Sequence, residues 1–369
     1  MRATLPRILA IVMTVVPALA AFGQAELPEG LTSRSNLSPS EEQSVADWAT
    51  SLWSSVDAQT PTAAREARRR LVEPLLSEDT SASFRLAMDQ SLSGELRQAM
   101  AGDDVFRGVN AALLMGWLAT DRSVRVLTET TQNGPVAVRF AAISGLGKAF
   151  RASSFAPVAF QAQVGNDAVD ALAGVLAGAD DQSILDATSK ALIYAMDVPE
   201  AAIAGFGARA GERLAQAIGE RLNTLPIDDH LGNRLKPLIR AMADVRTAIT
   251  QRRGDVSAGW RSSIMEMYGR AGALGFRFVR AERAGQISDA QAESARQTVG
   301  TVIQVVSTIP PLLRIDRAMQ DQLNNIGLAS NFSRAPQDDG DAYQRSATSL
   351  IRLLGEDFGL SSDRFNIGG

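Results

Sequence analysis

The chain contains one histidine, His230, and it stands beside two acids, Asp228 and Asp229. An imidazole and two carboxylates are a competent donor set for a divalent cation. With no second histidine, every histidine-based metal site and every histidine-relayed nucleophile scheme reduces to this position. Three consecutive residues do not converge easily on one ion, and acids just before an apolar run are explained by helix capping and the helix dipole. Asp338-Asp339-Gly340-Asp341 has the acid density of a calcium loop. It lacks the alternating acids before the glycine and the closing bidentate glutamate, and reads as a solvated turn. Gly145-Leu146-Gly147-Lys148 has the composition of a phosphate loop, but it falls inside a helical stretch instead of between a strand and a helix. No serine elbow and no serine three residues ahead of a lysine occurs. Cysteine is absent, which removes disulfides, thiolate metal sites and cysteine nucleophiles together. No catalytic, cofactor-binding or metal residue is therefore assigned, and no cofactor is expected.

Chemistry run by carboxylates alone needs only one or two acids in a groove. Glu293-Ser294, with Met319-Gln320 downstream, is similar to the Glu-Ser and Met-Gln pairs of helical peptidoglycan lytic transglycosylases. That resemblance implies a glycan hydrolase or lyase of the cell wall, but the spacing is long and the glycine- and aromatic-rich surroundings are missing. Two basic rows complete the inventory. Arg65, Arg68, Arg69 and Arg70 share one helical segment, and Arg277, Arg280 and Arg283 stand three apart on another. Each could dock an acidic partner or anionic lipid headgroups, or form a solvated face with Glu66 or Glu282 as counterions.

These residues sit in a chain with a distinctive start. Arg2 and Arg7 precede an apolar run from Ile8 to Ala20, and small residues follow at Ala18-Leu19-Ala20 and Gly23-Gln24-Ala25. This is the three-part pattern of a secretory signal peptide, and the run is too short for a permanent span. Cleavage after Ala25 is preferred, because the polar ELPEG segment comes next. The expected location is periplasmic or extracellular. Of 37 basic and 41 acidic residues, the leader takes two arginines and no acid, so the mature chain is acidic with a formal charge of −6. An acidic chain disfavours nucleic acid as a partner. Lysine occurs only as Lys148, Lys190 and Lys236, a skew toward arginine that suggests a GC-rich, bacterial genome.

Apolar residues recur at three and four from about residue 38 onward, and strict alternation is absent, so the class is all-α. Ser38-Pro39-Ser40-Glu41 carries a capping box. Stripes follow at Val45, Trp48, Leu52 and Val56, then at Ala64, Ala67, Leu71 and Leu75, then from Phe84 to Leu96. Later stripes lie at Ile203 to Ile218 and at Leu231 to Ile249, with Pro237 as a kink or a helix start. Ile264, Met267, Ala271, Leu274 and Phe278 run beside Gly269, Gly272 and Gly275. Glycines three apart permit a very close helix crossing, either within the chain or between copies of it. Val299 to Ile309 has helical spacing despite its β-branched residues.

Between about residues 103 and 200 the chain repeats. Asn110-Ala111-Ala112 and Gly116 register with Ala141, Ala142, Ile143 and Gly147 at thirty-one residues, and Val138, Ala141 and Leu146 with Ile184, Ala187 and Leu192 at forty-six. Each unit has the pattern of a helical hairpin that cannot bury its face alone. Val138-Arg139-Phe140-Ala141-Ala142-Ile143-Ser144-Gly145-Leu146-Gly147 resembles the VRxxAAxALG helix of the HEAT-like α-solenoid family, with Gly145 in place of the usual alanine. The resemblance implies stacked hairpins and an extended surface for partners, and no particular reaction.

The sequence therefore predicts an all-α, HEAT-like α-solenoid of stacked helical hairpins with additional C-terminal helices. Residues 1-25 form the signal peptide, 26-37 a loose segment, 38-255 the repeat region, 256-329 a C-terminal helical region, and 330-369 a loop, a short helix and a flexible tail. The expected function is that of a non-enzymatic exported scaffold for protein-protein interaction in the cell envelope, its protein partner unknown. The alternatives are the carboxylate-dependent cell-wall glycan hydrolase or lyase and a structural subunit self-associating through the glycine face.

Overall fold

The computed structural model describes residues 26–56, 61–252, 256–337 and 340–367. The expected leader and the acids Asp338 and Asp339 lie outside them. Helix α1 (Pro39–Val56) opens at the capping-box residues, where the Ser38 backbone N–H and hydroxyl each donate to the Glu41 carboxylate at 2.8 Å, while the Glu41 N–H goes to the Ser38 carbonyl instead of the hydroxyl. Its inner face is the Val45, Trp48, Leu52 and Val56 stripe. Helix α2 (Pro61–Val72) buries Ala64, Ala67 and Leu71, and a 3-10 turn η1 (Glu73–Leu76) buries Leu75. Helix α3 (Ala82–Ala101) is capped by the Ser81 hydroxyl and buries Phe84, Met88, Leu92 and Leu96.

The repeat region follows as α4 (Val105–Leu118), α5 (Asp121–Gln132), α6 (Val136–Ser153), α7 (Ala162–Gly178), α8 (Gln182–Met196) and α9 (Phe206–Thr224). Stacking then continues through α10 (Leu231–Gln251), α11 (Ala258–Arg283) and α12 (Asp289–Ser307). Two layers result. Helices α4, α6, α8, α10 and α12 pack each on the next, as do α3, α5, α7, α9 and α11, and successive helices join the layers as hairpins. The described residues contain no strand, only an isolated bridge between Thr120 and Ala159. The fold is all-α and solenoid-like.

The repeat register is visible in the packing. A Cβ placed on Gly116 would lie 2.6 Å from the Gly145 Cα, and one on Gly145 would lie 2.7 Å from the Ala112 carbonyl oxygen. Thirty-one residues after Gly116, Gly147 does the same work one step along, where a Cβ would lie 3.3 Å from the Ala191 Cα. Small residues thus set the spacing in the α4–α6–α8 layer. Met115, Leu146 and Leu192, equivalent by the same spacings, are all fully buried beside these crossings.

Arginines tie helix ends to neighbouring units. The last carbonyls of a helix have no partner within it, and four arginines supply donors to such groups. Arg139, the arginine of the VRxxAA pattern, donates to the Thr131 carbonyl at the end of α5 at 3.0 Å. Arg277 donates to Leu222 at 2.6 Å and Leu225 at 3.2 Å at the end of α9. Arg252 reaches Met196 at the end of α8. Arg85, fully buried, donates to Leu75 at 2.9 Å and to Trp117 near the end of α4. Burial without a carboxylate pushes the Arg85 pKa down to about 10.

The C-terminal region differs from the sequence expectation. The segment expected as a loop contains α14 (Leu328–Arg334), which follows α13 (Arg317–Ile326), and α15 extends over Asp341–Phe358. The tail expected to be flexible docks, because a further 3-10 turn η2 (Ser362–Phe365) buries Phe365 completely. Glycines and polar breakers hide this ordering in the sequence. The order comes from aromatic packing: Phe332 lies between Phe278 and Tyr343, with ring centroids at 6.2 and 5.0 Å. Gly269, Gly272 and Gly275 are the floor of this region. Added Cβ atoms there would meet Phe365, the Leu350 and Leu328 side chains, and Tyr343 respectively. The Tyr343 hydroxyl donates to the Gly272 carbonyl at 2.9 Å. The glycine face is therefore covered by the chain's own C-terminal helices. Pro237 lies inside α10, which begins at Leu231.

A Gly116→Val variant is expected to lose about 2 kcal/mol or more in urea unfolding, since the side chain would have to push apart a pair of backbones in a close-packed seam. Gly174→Ala, on an exposed face of α7 where a Cβ meets nothing within 4 Å, is expected to gain up to about 1 kcal/mol through helix propensity.

Candidate binding groove

The residues the sequence offered for chemistry are placed apart. His230 is exposed at the start of α10, where its backbone N–H donates to Asp228 at 2.9 Å. Asp228 is held below its usual value: burial opposes the lowering, and the Arg234 guanidinium and the His230 N–H outweigh it. Asp229 accepts from the Ser288 N–H at 3.0 Å and hydroxyl at 2.9 Å, linking two inter-helix loops. No group of three metal-capable side chains converges among the described residues. Glu293 is exposed on α12 and accepts from Gln297 at 2.9 Å. Gln320 lines a separate small depression with Tyr268 and Ser307, to which Glu293 does not contribute. Gly145 to Lys148 lies within α6.

The arginine rows resolve into different roles. Arg69 pairs with Glu66 at 2.7 Å and Glu73 at 2.9 Å, an exposed network of small energetic worth. Arg68 turns inward and donates to the Asn110 side chain at 2.6 Å. Arg277 serves the end of α9, and Arg283 pairs with Asp341 at 2.8 Å.

A groove of about 660 Å³ crosses the outer face of α4, α6, α8 and α10. Trp117 comes from α4, Phe140, Lys148 and Arg151 from α6, Lys190 and Tyr194 from α8, and Arg240 and Asp244 from α10. These positions follow the repeat register. Trp117, Lys148 and Tyr194 are equivalent by the spacings of thirty-one and forty-six, as are Ser144 and Lys190, and Phe140 and Asp186. The core positions of each unit hold similar residues, whereas the groove positions hold dissimilar ones. Similarity between units therefore marks the core and leaves the groove unmarked. Projecting the same register onto the outward positions is the signal that finds it.

Lys148 carries the unusual electrostatics. No hydrogen bond or ion pair engages it among the described residues, and its charged neighbours Arg68 and Arg151 are of the same sign. Burial first, then these two arginines, hold its ammonium below the usual lysine value of 10.5. Arg151 stacks over Tyr194 at 5.9 Å. Farther along, Arg240 pairs with Asp186 at 3.1 Å. Burial raises the Asp244 carboxyl above its usual value while Lys190 opposes the shift. The groove is thus cationic at α6 and charge-paired at α8 and α10. Its floor includes Ser189, buried with its hydroxyl unpartnered.

Apolar side chains are also exposed toward the starts of α4 and α6, where Phe140 reaches the groove. Val105, Phe106, Val136 and Phe140 are exposed at 40%, 46%, 59% and 41%, all within the first five residues of α4 and α6. Val105 and Val136 are again thirty-one residues apart.

No family model matches the chain, and no curated protein matches it. A crystal structure of an engineered protein, a structural genomics target, is similar at 15% identity over 83% of this chain and 88% of the other, with a TM-score of 0.29.

Lys148→Met keeps the length of the side chain and removes the unpaired charge. It is expected to raise the melting temperature at pH 7 by about 1–3 °C. The unfolded chain holds the Lys148 proton more tightly than the fold does. The unfolded state therefore binds more protons between the depressed value and 10.5, and the wild type gains stability as pH rises through that interval. The variant is expected to lack this gain, so melting curves of the two proteins should converge as pH rises through the interval.

Proposed function

We propose that this protein is a non-enzymatic, exported scaffold that holds a partner protein in the cell envelope, and that the groove across α4, α6, α8 and α10 is where it does so. The supporting observation is an unpaired lysine on a surface that also exposes aromatic side chains. Lys148 is half-buried among like charges, which costs folding stability and yields nothing within the chain. A partner carrying negative charge would offset that cost. Stacked repeats suit the task, because equivalent positions on successive helices present a long, rigid row of contacts. We read the N-terminal segment as a cleaved leader, which places the work outside the cytoplasm. No helix among the described residues is long and apolar enough to cross a membrane.

Two measurements test this reading in the producing cell. The purified native protein is expected to begin at Glu26 by intact mass, and a chain retaining Met1 would overturn export. A photo-crosslinking residue at Phe140 is expected to yield a defined protein adduct, while one at Gly174 on the opposite layer yields none. Equal labelling at both positions, or none at either, overturns the scaffold role.

A further inference from the structure

The groove is specific about what it can hold. Its cations are not evenly spread: Lys148 and Arg151, with Arg68 behind them, have no carboxylate partner, whereas Arg240 and Lys190 stand beside Asp186 and Asp244. A uniformly charged polyanion laid along the row would gain at α6 and then meet two carboxylates at α8 and α10. A ligand with its negative charge concentrated at one end avoids that repulsion. At the α4 and α6 end the same groove presents Trp117 and Phe140, which reward aromatic or large aliphatic groups. Neighbouring helices pack 8–10 Å apart, and small residues bring α4, α6 and α8 closer than that, so the three steps from α4 to α10 cover at most about 27 Å, the reach of about eight extended residues. A helix would need about eighteen residues to cover the same distance.

Resting on the scaffold reading, we infer that the groove binds an extended acidic segment of another protein, about eight residues long. Its carboxylates sit between Lys148 and Arg151, and an aromatic or large aliphatic side chain packs against Trp117 and Phe140. Burying the ammonium against a carboxylate replaces a like-charge environment with a charge-assisted hydrogen bond. The same contact makes binding sensitive to salt, because the groove is open to solvent.

Selection of random capped octapeptides displayed on phage against the mature chain tests this directly. Selected sequences are expected to be net negative and to carry at least one aromatic or large aliphatic residue. Fluorescence titration of a selected peptide is expected to weaken at least tenfold in Lys148→Met, and similarly when its Asp and Glu are exchanged for Asn and Gln. Circular dichroism of the variant should retain the full helical signal, so the loss is one of recognition. Neutral or basic selected sequences, equal binding by Lys148→Met, or tighter binding of a fluorescent oligo-dT than of any selected peptide would overturn the inference. Its failure is separable from that of the scaffold reading. A Phe140 adduct with no acidic bias in the selection defeats this proposal alone, and an acidic bias with no adduct in cells defeats the scaffold role alone.

Discussion

Backbone meets backbone where α4 crosses α6, and the solenoid depends on that approach. At Gly116 and Gly145 no side chain intervenes, so the two helices come closer than ordinary 8–10 Å packing would bring them. Glycine inside a helix costs about 1 kcal/mol relative to alanine, and two are placed in facing positions. The return is collective. Close approach lets Met115, Leu146 and Leu192 fill a continuous seam with no exposed apolar area, and it fixes the axial register of one unit on the next. With register fixed, residues at equivalent positions on the outer face fall into line. The groove is a consequence of the seam, since Trp117, Lys148 and Tyr194 align only because Gly116 and Gly147 seat their helices in the same way.

Arginine supplies the second constraint. Arg139, Arg252, Arg277 and Arg85 each donate to carbonyls at or near the end of a helix. Planar guanidinium groups suit this work, because several donors leave from one flat head while the stem packs along apolar surface. An arginine so used needs no carboxylate. This accounts for how an acidic chain spends some of its arginine inside the fold, and why clusters of arginine in the sequence were an unreliable guide to its basic surfaces.

The helices and their buried stripes were legible because one-sided burial imposes a period of 3.6 on the sequence, and every stripe from Val45 to Ile309 reflects it. The repeat was legible because the seam demands small residues at fixed intervals. The groove was not, since outward positions face no common packing constraint and hold tryptophan, lysine and tyrosine in turn. The docking of Phe332 and Phe365 was hidden for another reason. Each is a single anchor in a stretch of glycine, proline and polar residues, and one aromatic residue creates no period. The arginine roles were invisible because a carbonyl acceptor leaves no mark on composition.

Several carboxylates elsewhere on this protein are matched with arginine. Asp170 takes both Arg209 and Arg213, Glu266 takes Arg270, and Glu282 takes Arg296. Against that background an unpaired lysine between two arginines is not a generic solvated charge. A fully exposed ammonium would be hydrated at little cost, and a fully buried one would need a partner. Lys148 is neither, because it is partly stripped of water yet still open to the groove, beside the exposed Phe140 and the half-buried Trp117. Three features that each oppose stability or solubility coincide on one repeat-aligned surface. Folding alone supplies no reason for the coincidence. Recognition of a negatively charged, partly apolar segment supplies one for all of them together.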